Sequence, residues 1–180
     1  MKNFLVVLIL ATASCGVPVI TKSVRTYRVP PYICRVRLPD SVLAQSSGIS
    51  RGEVAYILIT RFNAMGILNL FPPSEDINPE DVGDYWAEDY IESAVDRKLM
   101  RCMPDQNFYP HDQVKKFQIC IIFYRILQML SLQDIQGDVY IQSWEWAIRN
   151  HILSGERDHY LTGPECIQAT MNFANYLLDN

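Results

Sequence analysis

The stretch that most constrains the fold is a pair of helical patterns between Tyr85 and Leu130. In the first, YWAEDYIESAVDRKLM, apolar residues form one stripe with charged residues opposite, which is typical of an amphipathic surface helix. In the second, VKKFQICIIFYRILQML, apolar residues occur almost all round, as expected for a helix buried among other helices. The two patterns predict a peripheral helix over 86–100 and a central helix over 114–130.

The same order of patterns recurs in the C-terminal part of the chain. VYIQSWEWAIRNHILSG predicts a second peripheral helix over 140–154, and the residues at 163–178 predict another central helix. Trp144 and Trp146 are two residues apart on the peripheral helix and do not share a face, so we expect one in the core and the other partly exposed. Upstream, the residues at 50–62 predict a further central helix.

Two capping boxes mark where the first and last of the central helices begin. Ser50 is followed three residues later by Glu53, and Thr162 by Glu165. In such a box the hydroxyl accepts from the N3 amide, and the carboxylate accepts from the N-cap amide. Lys115 occupies the hydroxyl position of the middle helix, which is therefore expected either to be capped more weakly or to be capped by Asp112.

Residues 1–14 have the layout of a secretory signal peptide, with Lys2 before an apolar run and small residues after it. The run is shorter than the roughly 20 apolar residues that span a bilayer. The following letters, ATASCG, resemble the lipobox of bacterial lipoproteins, in which the cysteine, here Cys15, becomes the lipid-modified first residue. The alternative is an ordinary signal cut near Ser14, with Cys15 a plain thiol. Both interpretations predict export.

Basic residues are concentrated in the N-terminal third of the chain. Residues 16–62 contain seven Lys or Arg and two acids, whereas residues 63–180 contain eight and eighteen. A basic segment beside a lipid site suits anionic headgroups or an anionic polymer. Nucleic acid is not an expected partner, because the mature chain is acidic and exported.

The domain organisation follows from these patterns. Residues 15–48 alternate apolar and basic residues and contain adjacent prolines, which predicts a lipid-proximal linker with extended segments. Residues 49–180 are predicted to form one helical domain.

Catalysis has little support in the sequence. The three histidines, His111, His151 and His159, lack the spacing of a zinc site, and no nucleophile elbow, phosphate loop or haem motif is present. We therefore predict that the protein is not an enzyme and has no metal and no cofactor. Four cysteines allow three disulfide pairings, among which the sequence does not choose: Cys34, Cys102, Cys120 and Cys166. The third of these lies in the apolar helix and is predicted to be buried.

The residues at 81–127 carry a resemblance to a known family. The stretch DVGDYWAEDYIESAVDRKLMRCMPDQNFYPHDQVKKFQICIIFYRIL resembles the S-layer homology (SLH) domain. The positions that keep the family order are Trp86, Ala87, Ile91, Ala94, Pro104, Asp105, Phe108 and Pro110. Looser marks, GISRGEVAYILITRF and later AIRNHILSG with LTGPE, indicate degenerate repeats over 49–66 and 138–180, beside the main repeat over 81–130.

The resemblance implies a fold and a function. The implied fold is a mainly α, pseudo-threefold domain of helix-loop-helix repeats around a central three-helix bundle. The implied function is that of a non-catalytic module of the bacterial cell envelope, which binds peptidoglycan or an attached anionic polymer and links a membrane-anchored lipoprotein, in the outer membrane or on the periplasmic side, to the wall.

The resemblance also implies which residues contact the polymer. In the family the Arg of a Thr-Arg-Ala-Glu box is a polymer contact, and the box position falls on Arg51, Lys116 and Gly163 in the three repeats. The third repeat therefore lacks the cation. The candidate polymer-binding residues are Arg51, Glu53, Trp86, Lys115 and Lys116.

Three alternatives stay open at this point. The degenerate repeats either bind polymer or form an envelope scaffold for a protein partner. Arg51 either points from the first helical turn toward a groove, which Gly52 would leave open, or covers a neighbouring helix end with its methylene stem. Trp86 is either a polymer contact or a core aromatic residue.

Overall fold

The structure, a computed structural model, describes residues 48–66, 79–132 and 137–179. The described helices are α1 (Arg51–Ala64), α2 (Glu88–Asp96), α3 (Lys116–Met129), α4 (Val139–Arg149) and α5 (Gly163–Asp179). In these three segments the only β pairing consists of two isolated bridges, so the prediction of a mainly α fold is confirmed. None of these five helices is long and apolar enough to span a membrane.

The two predicted capping boxes are both formed. Ser50 Oγ accepts from the amide of Glu53 at 3.3 Å, while the Ser50 amide donates to Glu53 Oε2 at 2.8 Å. The corresponding distances for Thr162 and Glu165 are 3.4 and 3.0 Å. These local hydrogen bonds satisfy amides that have no partner within the helix, and they fix the starts of α1 and α5.

α3 begins with half of this arrangement. The amide of Lys115 donates to Gln118 Oε1 at 2.7 Å, but a lysine side chain has no acceptor to offer the N3 amide. The weaker capping predicted for this helix therefore follows from its N-cap residue.

The core lies where α1, α3 and α5 meet. Phe173 of α5 stacks on Phe123 of α3 with 4.5 Å between ring centroids, and its ring meets Phe62 of α1 edge-on at 5.8 Å. α3 is buried on nearly all sides, as predicted from its apolar residues. Cys120 within it is fully buried, which confirms the expectation for that thiol.

α2 and α4 pack on this group from outside. Tyr56 of α1 contacts Trp86 and Tyr90 edge-on at 5.3 and 5.0 Å. On α4, Trp146 is buried and Trp144 is half-buried, so the expected division between the two tryptophans is confirmed.

A closed ring of backbone hydrogen bonds joins the starts of the three inner helices. Ile49 donates to the carbonyl of Leu161 at 2.8 Å, Leu161 to Val114 at 2.8 Å, and Val114 to Ile49 at 2.9 Å. The three side chains are buried. The ring relates the three helix starts to one another, while the pseudo-threefold arrangement of complete repeats stays a prediction.

Several sequence predictions lie outside the described residues. These are the signal peptide at 1–14, the lipid site at Cys15 and the linker at 15–48 apart from Gly48. The three described cysteines, Cys102, Cys120 and Cys166, are free thiols. Burial raises the pKa of Cys120 and of Cys166 to about 12.

Candidate functional site

The start of α1 packs against the turn that follows α2, and we call this contact the first junction. The amide of Arg51 donates to the carbonyl of Asp112 at 2.8 Å, and the amide of Gly52 donates to that of Pro110 at 2.9 Å. Helix starts leave amides without intrahelical partners, and here the turn of the second repeat supplies the acceptors.

The side chain of Arg51 strengthens the first junction. Its Nε donates to the carbonyl of Phe108 and its Nη2 to the carbonyl of Arg101, both at 2.8 Å, and its Cζ lies 4.5 Å from the centre of the Phe108 ring. The residue is 9% exposed, so the expectation that this guanidinium points out toward a groove is wrong. Burial lowers the pKa of Arg51, and the charge of Asp112 opposes that shift.

The expectation for Gly52 is corrected in the same way. A Cβ at this position would lie 2.8 Å from Cζ of Tyr85, so the absence of a side chain makes room for the tyrosine ring and leaves no open approach. The ring centroid of Tyr85 also lies 5.5 Å from that of Trp86 and 5.1 Å from that of His111. Trp86 is half-buried in this aromatic group, and Glu53 is engaged in its capping box.

The start of α3 forms an equivalent second junction with the turn that follows α4. The amide of Lys116 donates to the carbonyl of His159 at 2.9 Å, and the amide of Phe117 donates to that of Arg157 at 3.2 Å. Lys115 pairs with Tyr160 in an isolated bridge, as Ser50 pairs with Gln113 in the first junction.

The side chain of Lys116 strengthens the second junction, as the side chain of Arg51 strengthens the first. Its Nζ donates to the carbonyl of Ser154 at 3.2 Å and lies 2.5 Å from Glu165 Oε1, while the residue is 7% exposed. Gly155 has a positive φ of 97°, and a Cβ there would lie 2.9 Å from Nζ. Burial raises the pKa of Glu165, but the hydrogen bonds from Lys116 and Thr162 outweigh this and hold it below its ordinary value.

The start of α5 lacks both the basic side chain and the following backbone amide that hold the starts of α1 and α3 to their turns. Gly163 at the box position has no cation, and Pro164 has no amide to donate in the manner of Gly52 and Phe117. The residue at the box position thus fastens α1 and α3 to the turns after α2 and α4, whereas α5 begins without such a residue.

Cations and aromatic rings lie together on the outer side of the second junction. Arg157 lies with its Cζ 6.0 Å from the centre of the Phe117 ring, and Phe117 lies 6.1 Å from Tyr140. Arg125, about two turns further along α3, donates through Nη1 to the carbonyl of Leu99 at 2.7 Å. We call Arg101, Phe117, Arg125, Tyr140 and Arg157 the arginine–aromatic surface.

The charge of this surface is only partly neutralised. Burial lowers the pKa of Arg125, and the neighbouring charge of Arg101 lowers it further. Within 48–66, 79–132 and 137–179, neither of these two arginines forms an ion pair. Arg157 lies 3.6 Å from Asp158, a weak and exposed pairing. Arg101 is exposed, and Tyr140 is 55% exposed, so an external ligand has access.

No member of this surface was predicted from the sequence. One signal for it was present: Arg125 is the only charged residue between Phe117 and Met129, in an otherwise apolar helix. Of the predicted residues, Lys115 remains at the surface of the second junction and is half-buried. In the described part of the chain, no group of three or more His, Cys, Asp or Glu residues is arranged to hold a metal ion.

In this geometry the starts of α1 and α3 hold the turns that follow α2 and α4, respectively. Residues 80–120, which span α2, the turn and the start of α3, match the family model of the S-layer homology domain. The resemblance to the S-layer homology family is therefore confirmed. Domains of this family are in general non-catalytic modules that bind polymers of the bacterial cell envelope. No curated protein matches the chain.

Proposed function

We propose that the protein is a non-catalytic module that binds an anionic polymer of the cell wall through the arginine–aromatic surface. The observation that carries this proposal is that Arg125 donates to the carbonyl of Leu99, two residues before the exposed Arg101, which brings two arginines without an ion-pair partner among the described residues into one region. Like charges held together cost free energy unless an anion joins them. A carboxylate or phosphate of the polymer is suited to that position, because a guanidinium donates two parallel hydrogen bonds to either group.

The aromatic members of the surface extend the contact along a chain molecule. Phe117 and Tyr140 lie between Arg157 on one side and Arg125 on the other. Rings supply apolar faces for the C–H surfaces of sugars, and Tyr140 adds a hydroxyl for hydrogen bonding. An extended surface with two rings flanked by cations suits a polymer better than a single small anion.

The residues predicted from the family box enter this proposal in a different role. Arg51 holds the backbone of Arg101 through its carbonyl, and Lys116 holds the turn that carries Arg157. Both act as positioning residues behind the surface. Glu53, Trp86 and Lys115 stay candidate contacts, since they lie at the two junctions.

We also propose that the module is attached to a membrane through Cys15. The support is the relaxed lipobox after a short apolar run, followed by a basic segment suited to anionic headgroups. Mass spectrometry of the mature N-terminus tests this, with a lipid-modified cysteine expected at position 15. An unmodified N-terminus would leave an exported module without a lipid anchor.

The alternative function is an envelope scaffold whose repeats no longer bind polymer. The exposed apolar residues Met129, Leu130 and Leu132 near the end of α3 favour it, because such a patch suits a protein contact. Pull-down with isolated sacculi separates the two functions. We expect retention on sacculi that carry their anionic polymer and loss of retention once that polymer is removed, whereas a scaffold would be retained by neither.

A further inference from the structure

The outer side of α4 is apolar at its centre. Ile141 is 48% exposed and Ile148 is 37% exposed. The opposite side of the helix is buried and consists of Ser143, Trp146 and Ala147. Residues seven apart on a helix return to nearly the same direction, so the two isoleucines point outward together. An amphipathic surface helix ordinarily has polar residues at such positions.

The other peripheral helix, α2, shows that this apolar face is not required by the fold. The two helices can be aligned on their last turns, where the carbonyls of Ala94 and Ala147 each accept the amide five residues later at 2.9 Å. In this alignment Ile141 corresponds to Glu88, the first residue of α2. A peripheral helix of this chain therefore accepts a charge at that position, and packing within the chain does not explain an exposed isoleucine there.

We propose that the outer face of α4 binds the same face of a second copy of the chain, with the two helices antiparallel. The face consists of Ile141, Trp144, Glu145, Ile148 and Arg149. The isoleucines lie at nearly equal distances on either side of its middle, so a twofold axis near Trp144 places Ile141 of each copy against Ile148 of the other. Such a contact is closed, because each chain uses the same face and none is left for a third copy.

The charges on this face favour a second copy over an acidic or a basic partner. Glu145 and Arg149 have opposite signs, so the face has no net charge and does not repel an identical face. In the antiparallel pair, Arg149 of each copy flanks the two Glu145 side chains near the axis. A parallel pair would instead place arginine beside arginine, which disfavours that orientation.

The size of the face predicts a weak dimer. The helix has 11 residues and is about 16 Å long, so the contact buries less than the roughly 1,200 Å² of a standard stable interface. We expect a dissociation constant on the order of 0.1–1 mM, which leaves the chain monomeric at the low concentrations of unfolding and sacculus-binding experiments. Dimer formation needs no polymer and therefore goes beyond the proposed function.

Sedimentation velocity of the mature chain from about 10 µM to about 1 mM tests the dimer, with Cys15→Ser so that no lipid drives association. The mean mass is expected to rise from that of a monomer toward that of a dimer. Amides of 139–149 are expected to shift with concentration in NMR spectra, while those of α2 do not. In a mixture of labelled and unlabelled chains, intermolecular NOEs are expected between the methyl groups of Ile141 and Ile148.

Ile141→Glu is expected to raise the dissociation constant by roughly tenfold or more, because it places a carboxylate against an isoleucine. Ile148→Ala, a milder change on the same face, should raise it by roughly two- to tenfold and keeps the test decisive if the glutamate variant does not fold. Met171→Glu is the matched control, because it introduces the same carboxylate at an apolar residue of α5 that is 42% exposed.

The control variant should associate as wild type does. A chain that stays monomeric at the highest concentration would overturn the proposal, as would concentration-dependent shifts confined to residues outside 139–149. Equal effects of Ile141→Glu and Met171→Glu, or unchanged association in Ile148→Ala, would overturn it too. These measurements contain no sacculi, so the dimer and the proposed polymer binding fail independently of each other.

Discussion

The buried ammonium group of Lys116 lies 2.5 Å from the carboxylate of Glu165 and ties the start of α3 to the start of α5. Replacing Lys116 with Met removes one partner and leaves a carboxylate that is 36% exposed in its side chain and partly rehydrated. We expect Lys116→Met to lower the free energy of unfolding by about 2 kcal/mol, less than the about 3–5 kcal/mol of a fully buried pair. Denaturant unfolding at pH 7 measures the change.

The pH dependence of that loss is a stricter test of the pair. Lys116 and Thr162 hold the pKa of Glu165 below its ordinary value against the opposing effect of burial. Stabilisation by a depressed carboxyl pKa is present above the unfolded-state pKa, about 4.3, and is lost as the pH falls through the folded-state pKa. The difference between wild type and Lys116→Met should therefore shrink below about pH 4. A difference that is the same at pH 7 and at pH 3 would show that the ion pair contributes nothing.

The side chain of Arg51 is expected to stabilise the fold. Its guanidinium donates to two carbonyls of the second repeat from a buried position, and hydrogen bonds from charged groups contribute about 1.5–3 kcal/mol. We expect Arg51→Ala to lower the free energy of unfolding by about 2–3 kcal/mol. Arg51→Lys should lower it by less, because the ammonium group still donates to one of the two carbonyls. Arg149→Ala is the control, since this arginine is exposed on α4. Equal stabilities for Arg51→Ala and Arg149→Ala would show that the side chain of Arg51 does not stabilise the first junction.

The helix starts differ in their capping, and this difference is testable. Ser50→Ala and Thr162→Ala should each lower the free energy of unfolding by about 1 kcal/mol, because each removes the hydroxyl of a complete capping box. Lys115→Ser should raise it by about 0.5–1 kcal/mol, because it completes the box that Gln118 half forms. Lys115→Ala, which removes the charge without adding a hydroxyl, is the matched control. If the serine and alanine variants at 115 are equally stable, capping does not limit α3.

Local chemistry explains which parts of the fold were predictable from the sequence. The capping boxes and the all-round apolar helix depend on residues within one or two turns, so the starts of α1 and α5 and the burial of α3 could be predicted. The direction of the Arg51 side chain could not, because its acceptors lie 50 and 57 residues away.

The arginine–aromatic surface was unpredictable for the same reason. Its members come from the turn after α2, from α3, from α4 and from the turn after α4, and they meet only when the second junction has formed. Apart from Arg125, which is the only charged residue between Phe117 and Met129, each member has an ordinary local sequence. The family resemblance predicted polymer contacts at the box position. In this chain the cations at that position, Arg51 and Lys116, are buried and hold the turns.

Binding of the double variant Arg101→Gln and Arg125→Gln to sacculi, measured across salt concentrations, tests whether the arginine–aromatic surface holds the anionic polymer. Wild type is expected to bind most tightly at low salt, where screening is weakest. The double variant is expected to lose roughly tenfold in affinity at low salt and to show a flatter salt dependence, because two charge-assisted contacts are gone. Arg149→Gln, which removes an exposed cation on α4, should bind as wild type does. A double variant that remains folded and binds sacculi as tightly as wild type at low salt would show that these two arginines do not hold the polymer.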